Sequence, residues 1–86
     1  MDINQLIKIV KTKITKNIFC ENIKIEDKTY LHKTHPLHQK DKFHLKLIIK
    51  SLELKKIKKI ESSRKIYKIL DKEMKDYIHS LQILIK

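Results

Sequence analysis

Five histidines and one cysteine carry the nitrogen and sulfur donors that transition metals favour in this 86-residue sequence. His32, His35 and His38 recur at intervals of three in a polar stretch. Such a run either stays solvated or collects zinc or nickel adventitiously. His79 alternates with Leu81 and Ile83, which places it near an apolar face at the start of a strand. Taken alone, it reads as a half-buried imidazole satisfied by a backbone carbonyl. His44 falls opposite Phe43 and Leu45 and reads as a surface or sheet-packing residue rather than a ligand. Cys20, between Phe19 and Glu21, is remote from the histidine run, which argues against a Cys–His nucleophile pair; it reads as a packing residue or an incidental thiol. Asp71, Glu73 and Asp76 read as a solvated helix terminus. The chain has no glycine, hence no Gly-rich phosphate loop or nucleophile elbow. These absences point to a protein that is not an enzyme.

The elements that must position these groups follow from periodicity. Ile3, Leu6, Ile7, Val10, Ile14 and Ile18 fall at three- and four-residue spacings, which predicts an amphipathic helix over residues 2–17 with Asp2 at its start. Residues 22–27 alternate polar and apolar, a short strand. From 28 to 42 the pattern lapses, and Pro36 marks a loop. A second strand is expected at 43–51, with Phe43, Leu45, Leu47 and Ile49 on one face. Helical spacing returns over 52–70 through Leu54, Ile57, Ile60, Tyr67, Ile69 and Leu70, with Tyr67 assigned to the core. Glu61-Ser62-Ser63 is the expected interruption, Ser62 or Ser63 capping a fresh helix. One further helical turn fits 71–76, and a last strand fits 77–85, with Tyr77, His79, Leu81, Ile83 and Ile85 on one face. The second and third strands, if neighbours, must be parallel and joined by a crossover. The expected architecture is a single α+β domain over residues 1–86, in the order αββααβ. Its three-stranded mixed sheet carries its helices on one face.

Composition narrows the function classes. Lys and Arg number 21 against 10 Asp and Glu, a formal net charge of +11, and Arg64 is the single arginine. The excess sits in residues 43–70, with nine basic residues against two acidic. A polyanion, an anionic membrane or an acidic protein partner would all suit that balance, as would a solvated face in a lysine-rich chain. No apolar run approaches a membrane span, and residues 1–5 lack the features of a secretory signal, so a soluble, cytoplasmic protein is expected, with the nucleus also open. The lone cysteine excludes an internal disulfide framework.

Four segments together carry a family resemblance: Ile25-Glu26-Asp27-Lys28-Thr29-Tyr30-Leu31-His32; His44-Leu45-Lys46-Leu47-Ile48-Ile49-Lys50-Ser51; Ser62-Ser63-Arg64-Lys65-Ile66-Tyr67-Lys68-Ile69-Leu70; and Ile78-His79-Ser80-Leu81. Their order and spacing resemble the BolA-like proteins, whose fold is similar to class II KH domains. Three positions depart from the family pattern. Ser62-Ser63-Arg64 stands where Arg-His-Arg is usual, Leu54-Lys55-Lys56 where Phe-x-Gly is usual, and Leu45 is the second member of a His-Phe pair.

The resemblance implies a monothiol glutaredoxin of the Cys-Gly-Phe-Ser type as partner to a protein that is monomeric when alone. The two would share a 2Fe-2S cluster that the isolated protein lacks. The partner would supply its cysteine and a bound glutathione thiolate. This chain would supply His79 and one loop histidine, ranked His32, then His38, then His35. Imidazole can replace thiolate on one iron, lowering the negative charge of such a cluster. The alternative function is a small DNA-binding transcriptional regulator acting through the basic helix 55–68. There Lys55, Lys56, Lys58, Lys59, Arg64, Lys65 and Lys68 are candidate contacts to DNA or to an acidic docking partner. KH-type nucleic-acid clamping is excluded, because the clamping loop needs glycines that this chain does not have.

Overall fold

Asp2 opens the first helix with a reciprocal pair of hydrogen bonds. Its carboxylate accepts from the Gln5 N–H (2.8 Å), and the Gln5 side-chain oxygen accepts from the Asp2 N–H (3.1 Å). This capping box satisfies donors that every helix start leaves open. In the computed structural model, which describes residues 1–29 and 42–86, the helix α1 spans Ile3–Asn17. Leu6, Val10 and Ile14 form its buried stripe, and Ile18 continues the stripe just past the helix end.

Strands β1 (Asn22–Asp27) and β2 (Phe43–Lys50) pair antiparallel, with Ile23 opposite Ile49 and Ile25 opposite Leu47. Strand β3 (Ile78–Ile85) lies parallel to β2 on its other side, giving the sheet order β1-β2-β3. The connection between the parallel strands holds three helices, α2 (Leu52–Lys55), α3 (Lys59–Ile69) and α4 (Asp71–Asp76). Leu45, Leu47 and Ile49 of β2 meet Leu6, Val10 and Ile14 of α1 and Leu54, Ile66 and Leu70 of the crossover in one buried cluster. The expected α+β architecture with a mixed sheet is therefore present. Among the described residues, no helix is long and apolar enough to cross a membrane.

The crossover departs from the sequence reading in three places. Its helical break falls at Lys56–Lys58, before α3, and Ser62 lies inside α3 rather than capping it. Ser62 is fully buried, and its hydroxyl donates to the Leu54 carbonyl (2.9 Å), so it fastens α3 to α2 across the break. Ser51 starts α2 by accepting from the Leu54 N–H (3.3 Å), and its hydroxyl donates to the Phe19 carbonyl (2.7 Å). Tyr67 is 40% exposed rather than core, with its hydroxyl donating to the Leu81 carbonyl at 3.1 Å. Ile57 and Ile60, on the same expected apolar stripe, are also exposed.

Candidate ligand site at the start of β3

A register shift in the β2–β3 ladder determines where His79 points. Phe43 pairs with Ile78, but the next residue, His44, pairs with Ser80. His79 is thus the extra residue of a bulge, a device that re-aims a side chain. Ile78 is buried and His79 exposed, which corrects the expected alternation of Tyr77, His79 and Leu81 on one face. A strand without the bulge would have turned the imidazole toward the helices.

His44 is 7% exposed, and it packs into the sheet beside the bulge. Its Nδ1 lies 2.6 Å from the Ser80 hydroxyl, and its ring centroid is 4.9 Å from that of His79, with the planes tilted by 56°. Backbone contacts hold it: the Lys28 N–H donates to the His44 carbonyl (2.7 Å), and the His44 N–H donates to the Thr29 hydroxyl (3.1 Å). Beside this pair lies a hollow of about 540 Å³, lined chiefly by Lys28, His44, Lys46, Ser80 and Gln82. Ser80 was not singled out by sequence reasoning; its meeting with His44 depends on the register shift.

The same contacts fix the described residues that flank 30–41. Lys28 and Thr29 are bonded to His44, and the Phe43 N–H donates to the Tyr77 carbonyl (2.9 Å). Thr29, before residues 30–41, thus lies on the β1 side of β2, whereas Phe43, just after them, is bonded to the residue preceding β3. His32, His35 and His38 themselves lie outside the described residues. Among the described residues, no group of three or more His, Cys, Asp or Glu could hold a metal ion alone. No hydrogen bond among them engages the His79 ring either. One exposed imidazole with its ring nitrogens available suits a site whose remaining ligands come from elsewhere.

The pattern has a match among known families. A family model described as "BolA-like protein" matches residues 14–86. The chain belongs to the BolA-like family. It is 29% identical over 75 residues to a Haemophilus influenzae protein named "DNA-binding transcriptional regulator BolA", covering 87% of this chain and 70% of that relative. Its structure is similar to the BolA domain of SufE1 from Arabidopsis thaliana, with TM-score 0.80 and 24% identity, covering all of this chain and 93% of the other. BolA1 from the same plant gives TM-score 0.75 and 23% identity over 92% and 87% of the two chains. These two likenesses establish the shared fold.

Other candidates of this BolA-like chain fall elsewhere. Lys55, Lys56, Lys58, Lys59, Arg64, Lys65 and Lys68 are all exposed along α2, the turn after it and α3. Lys65 is engaged with Glu53 at 2.9 Å. Cys20 packs partly against the core, and burial, then the nearby Glu53 charge, pushes its thiol above the usual range. Such a thiol is a weak nucleophile. Glu73 corrects the solvated-terminus reading: it is 3% exposed, and its Oε2 accepts from Lys13 Nζ at 2.6 Å. That ion pair ties α4 to α1 immediately before β3 begins.

Proposed function

We propose that this BolA-like protein is an accessory factor in iron–sulfur cluster handling. It would act by pairing with a monothiol glutaredoxin and contributing His79 and one loop histidine to a shared 2Fe-2S cluster. The observation that carries the reading is the bulge at the start of β3. It turns His79 outward close to Phe43, which follows residues 30–41 in the chain. In this reading the cluster supplies electron-transfer capacity and a transferable iron–sulfur unit. The protein's own residues present imidazole and hold it on a paired strand, and one histidine of residues 30–41 would supply the second ligand. The role is accessory rather than catalytic and belongs to a reducing compartment such as the cytosol.

Anaerobic reconstitution with a monothiol glutaredoxin and glutathione tests this, read by visible absorption and circular dichroism. A heterodimer spectrum distinct from that of the glutaredoxin homodimer, abolished in His79→Ala, is expected. His32→Ala, His38→Ala and His35→Ala then identify the loop ligand. An unchanged homodimer spectrum in the presence of wild type, with no association, overturns the reading.

A second reading is DNA binding through the exposed lysines and Arg64 of residues 55–68. The name of the Haemophilus influenzae relative and the local excess of positive charge favour it. Preference for one DNA site at ~150 mM salt supports regulation. Binding that falls steeply with salt and ignores sequence is polyanion attraction alone.

A further inference from the structure

The far end of β3 has a different chemistry. The Lys86 N–H donates to the Ile49 carbonyl at 2.8 Å, so the backbone groups of Gln82, Leu84 and Lys86 turn inward toward β2. In a parallel ladder the alternate residues, Leu81, Ile83 and Ile85, must then turn their N–H and C=O groups outward. The Tyr67 hydroxyl donating to the Leu81 carbonyl fits that parity and occupies the first outward position. Ile83 and Ile85 follow it on an edge strand, because β3 ends the sheet and pairs with β2 alone among the described residues.

Against that edge lies a groove of about 250 Å³ between β3 and the α2–α3 turn. Leu54, Ile57, Ile83 and Ile85 give it apolar walls, Lys55 and Lys59 are its charged members, and no acidic side chain lines it. Natural edge strands are usually blunted by charge, proline or a bulge. The bulge of β3 sits at its other end, leaving these two positions regular.

We propose that the edge of β3 at Ile83 and Ile85 takes up an extended acidic segment of a partner protein as an added strand. An apolar side chain of that segment would sit in the groove, and flanking carboxylates would meet Lys55 and Lys59. Outward groups on alternate residues recur about every 7 Å, the repeat of an extended peptide, and strand addition is an established recognition mode. Nucleic acid fits less well: no aromatic side chain lines the groove to stack a base, and no arginine lines it to grip a phosphate bidentately. This inference is independent of the cluster-sharing reading, which concerns the other end of the strand.

The test is fluorescence anisotropy and amide chemical-shift mapping on the whole chain. The probe is a labelled nine-residue peptide alternating valine or isoleucine with glutamate. Saturable binding with shifts at the Ile83 and Ile85 amides is expected. Proline at the central positions, which removes backbone donors, should weaken binding about tenfold or more, as should replacing glutamate with lysine. The exposed double variant Lys55→Glu/Lys59→Glu should lose a similar factor without unfolding. Equal binding of the proline peptide, or unmoved Ile83 and Ile85 amides, overturns the proposal. Single-stranded DNA that shifts those amides at ~150 mM salt and displaces the peptide assigns the groove to nucleic acid instead. Concentration-dependent dimerisation with the same shifts assigns it to a second copy of this chain.

Discussion

The two ends of β3 share one strand and one partner, yet they present opposite chemistry. At its start, an extra residue turns His79 outward beside His44 and Ser80, and Glu73 fixes the preceding helix through Lys13. At its end the ladder is regular, and Ile83 and Ile85 offer backbone groups and apolar side chains to a lysine-rimmed groove. One residue of register, rather than a change of element, thus separates an outward-turned imidazole from a regular strand edge.

The sharpest way to break this comparison is to collapse one end and watch the other. Leu54 is buried at the floor of the groove end. Leu54→Ala should cost about 2–5 kcal/mol, the transfer energy of the lost methyl groups plus a cavity. Thermal unfolding should show the loss. Where the variant remains folded, the His44 and His79 ring signals should keep their wild-type positions by NMR. Movement of those signals would mean that the two ends are one cooperative site.

The start of β3 is expected to depend on the Lys13–Glu73 pair. Among the described residues Glu73 Oε1 has no hydrogen-bond partner, so Lys13 carries the compensation for a buried carboxylate. Lys13→Ala should destabilise by about 1–3 kcal/mol, below the range for fully buried pairs because water reaches the lysine. Replacing both residues with apolar ones of similar size should recover most of that loss in urea unfolding. Failure of the double variant to recover would show that the pair does more than neutralise one burial.

A smaller effect is expected inside the site. Ser80→Ala removes the hydroxyl beside His44 Nδ1 and should cost about 0.5–1.5 kcal/mol in the same assay. No measurable change would show that His44 is held by its backbone contacts to Lys28 and Thr29 without Ser80.

What sequence could and could not show follows the same division. The helix at 2–17, the strand at 22–27 and the parallel pairing of the last two strands were legible, because apolar spacing and crossover length are properties of local sequence and chain connectivity. His79 was legible as a candidate through its motif, but not its orientation. A bulge arises from the ladder between two strands and leaves no periodic mark. The break before α3 was misplaced because its fastening, Ser62 to the Leu54 carbonyl, is a contact between helices and Lys58 makes no side-chain cap. Glu73 looked solvated because its partner is 60 residues away. Ile83 and Ile85 were legible from alternation only as members of one strand face. Their outward backbone became visible only once β3 was seen to end the sheet.

The smallest expected effect is electrostatic and lies near the groove end. Glu53 accepts from Lys65 Nζ at 2.9 Å and from the Phe19 N–H at 3.4 Å, and these contacts, the lysine first, hold its carboxyl below the usual carboxylate range. Its folded-state pKa is thus lower than its unfolded one. The associated stabilisation is complete at neutral pH and is lost as acidification passes through the depressed folded value. Because Glu53 is solvent-facing, the effect should be slight and should shrink further in high salt. Glu53→Gln should flatten that part of the pH–stability curve. The same change removes a negative charge that holds the Cys20 thiol up, so alkylation of Cys20 should quicken slightly while burial still slows it. An acid limb that persists unchanged in Glu53→Gln would show that the contacts of Glu53 to Lys65 and Phe19 do not set the acid response.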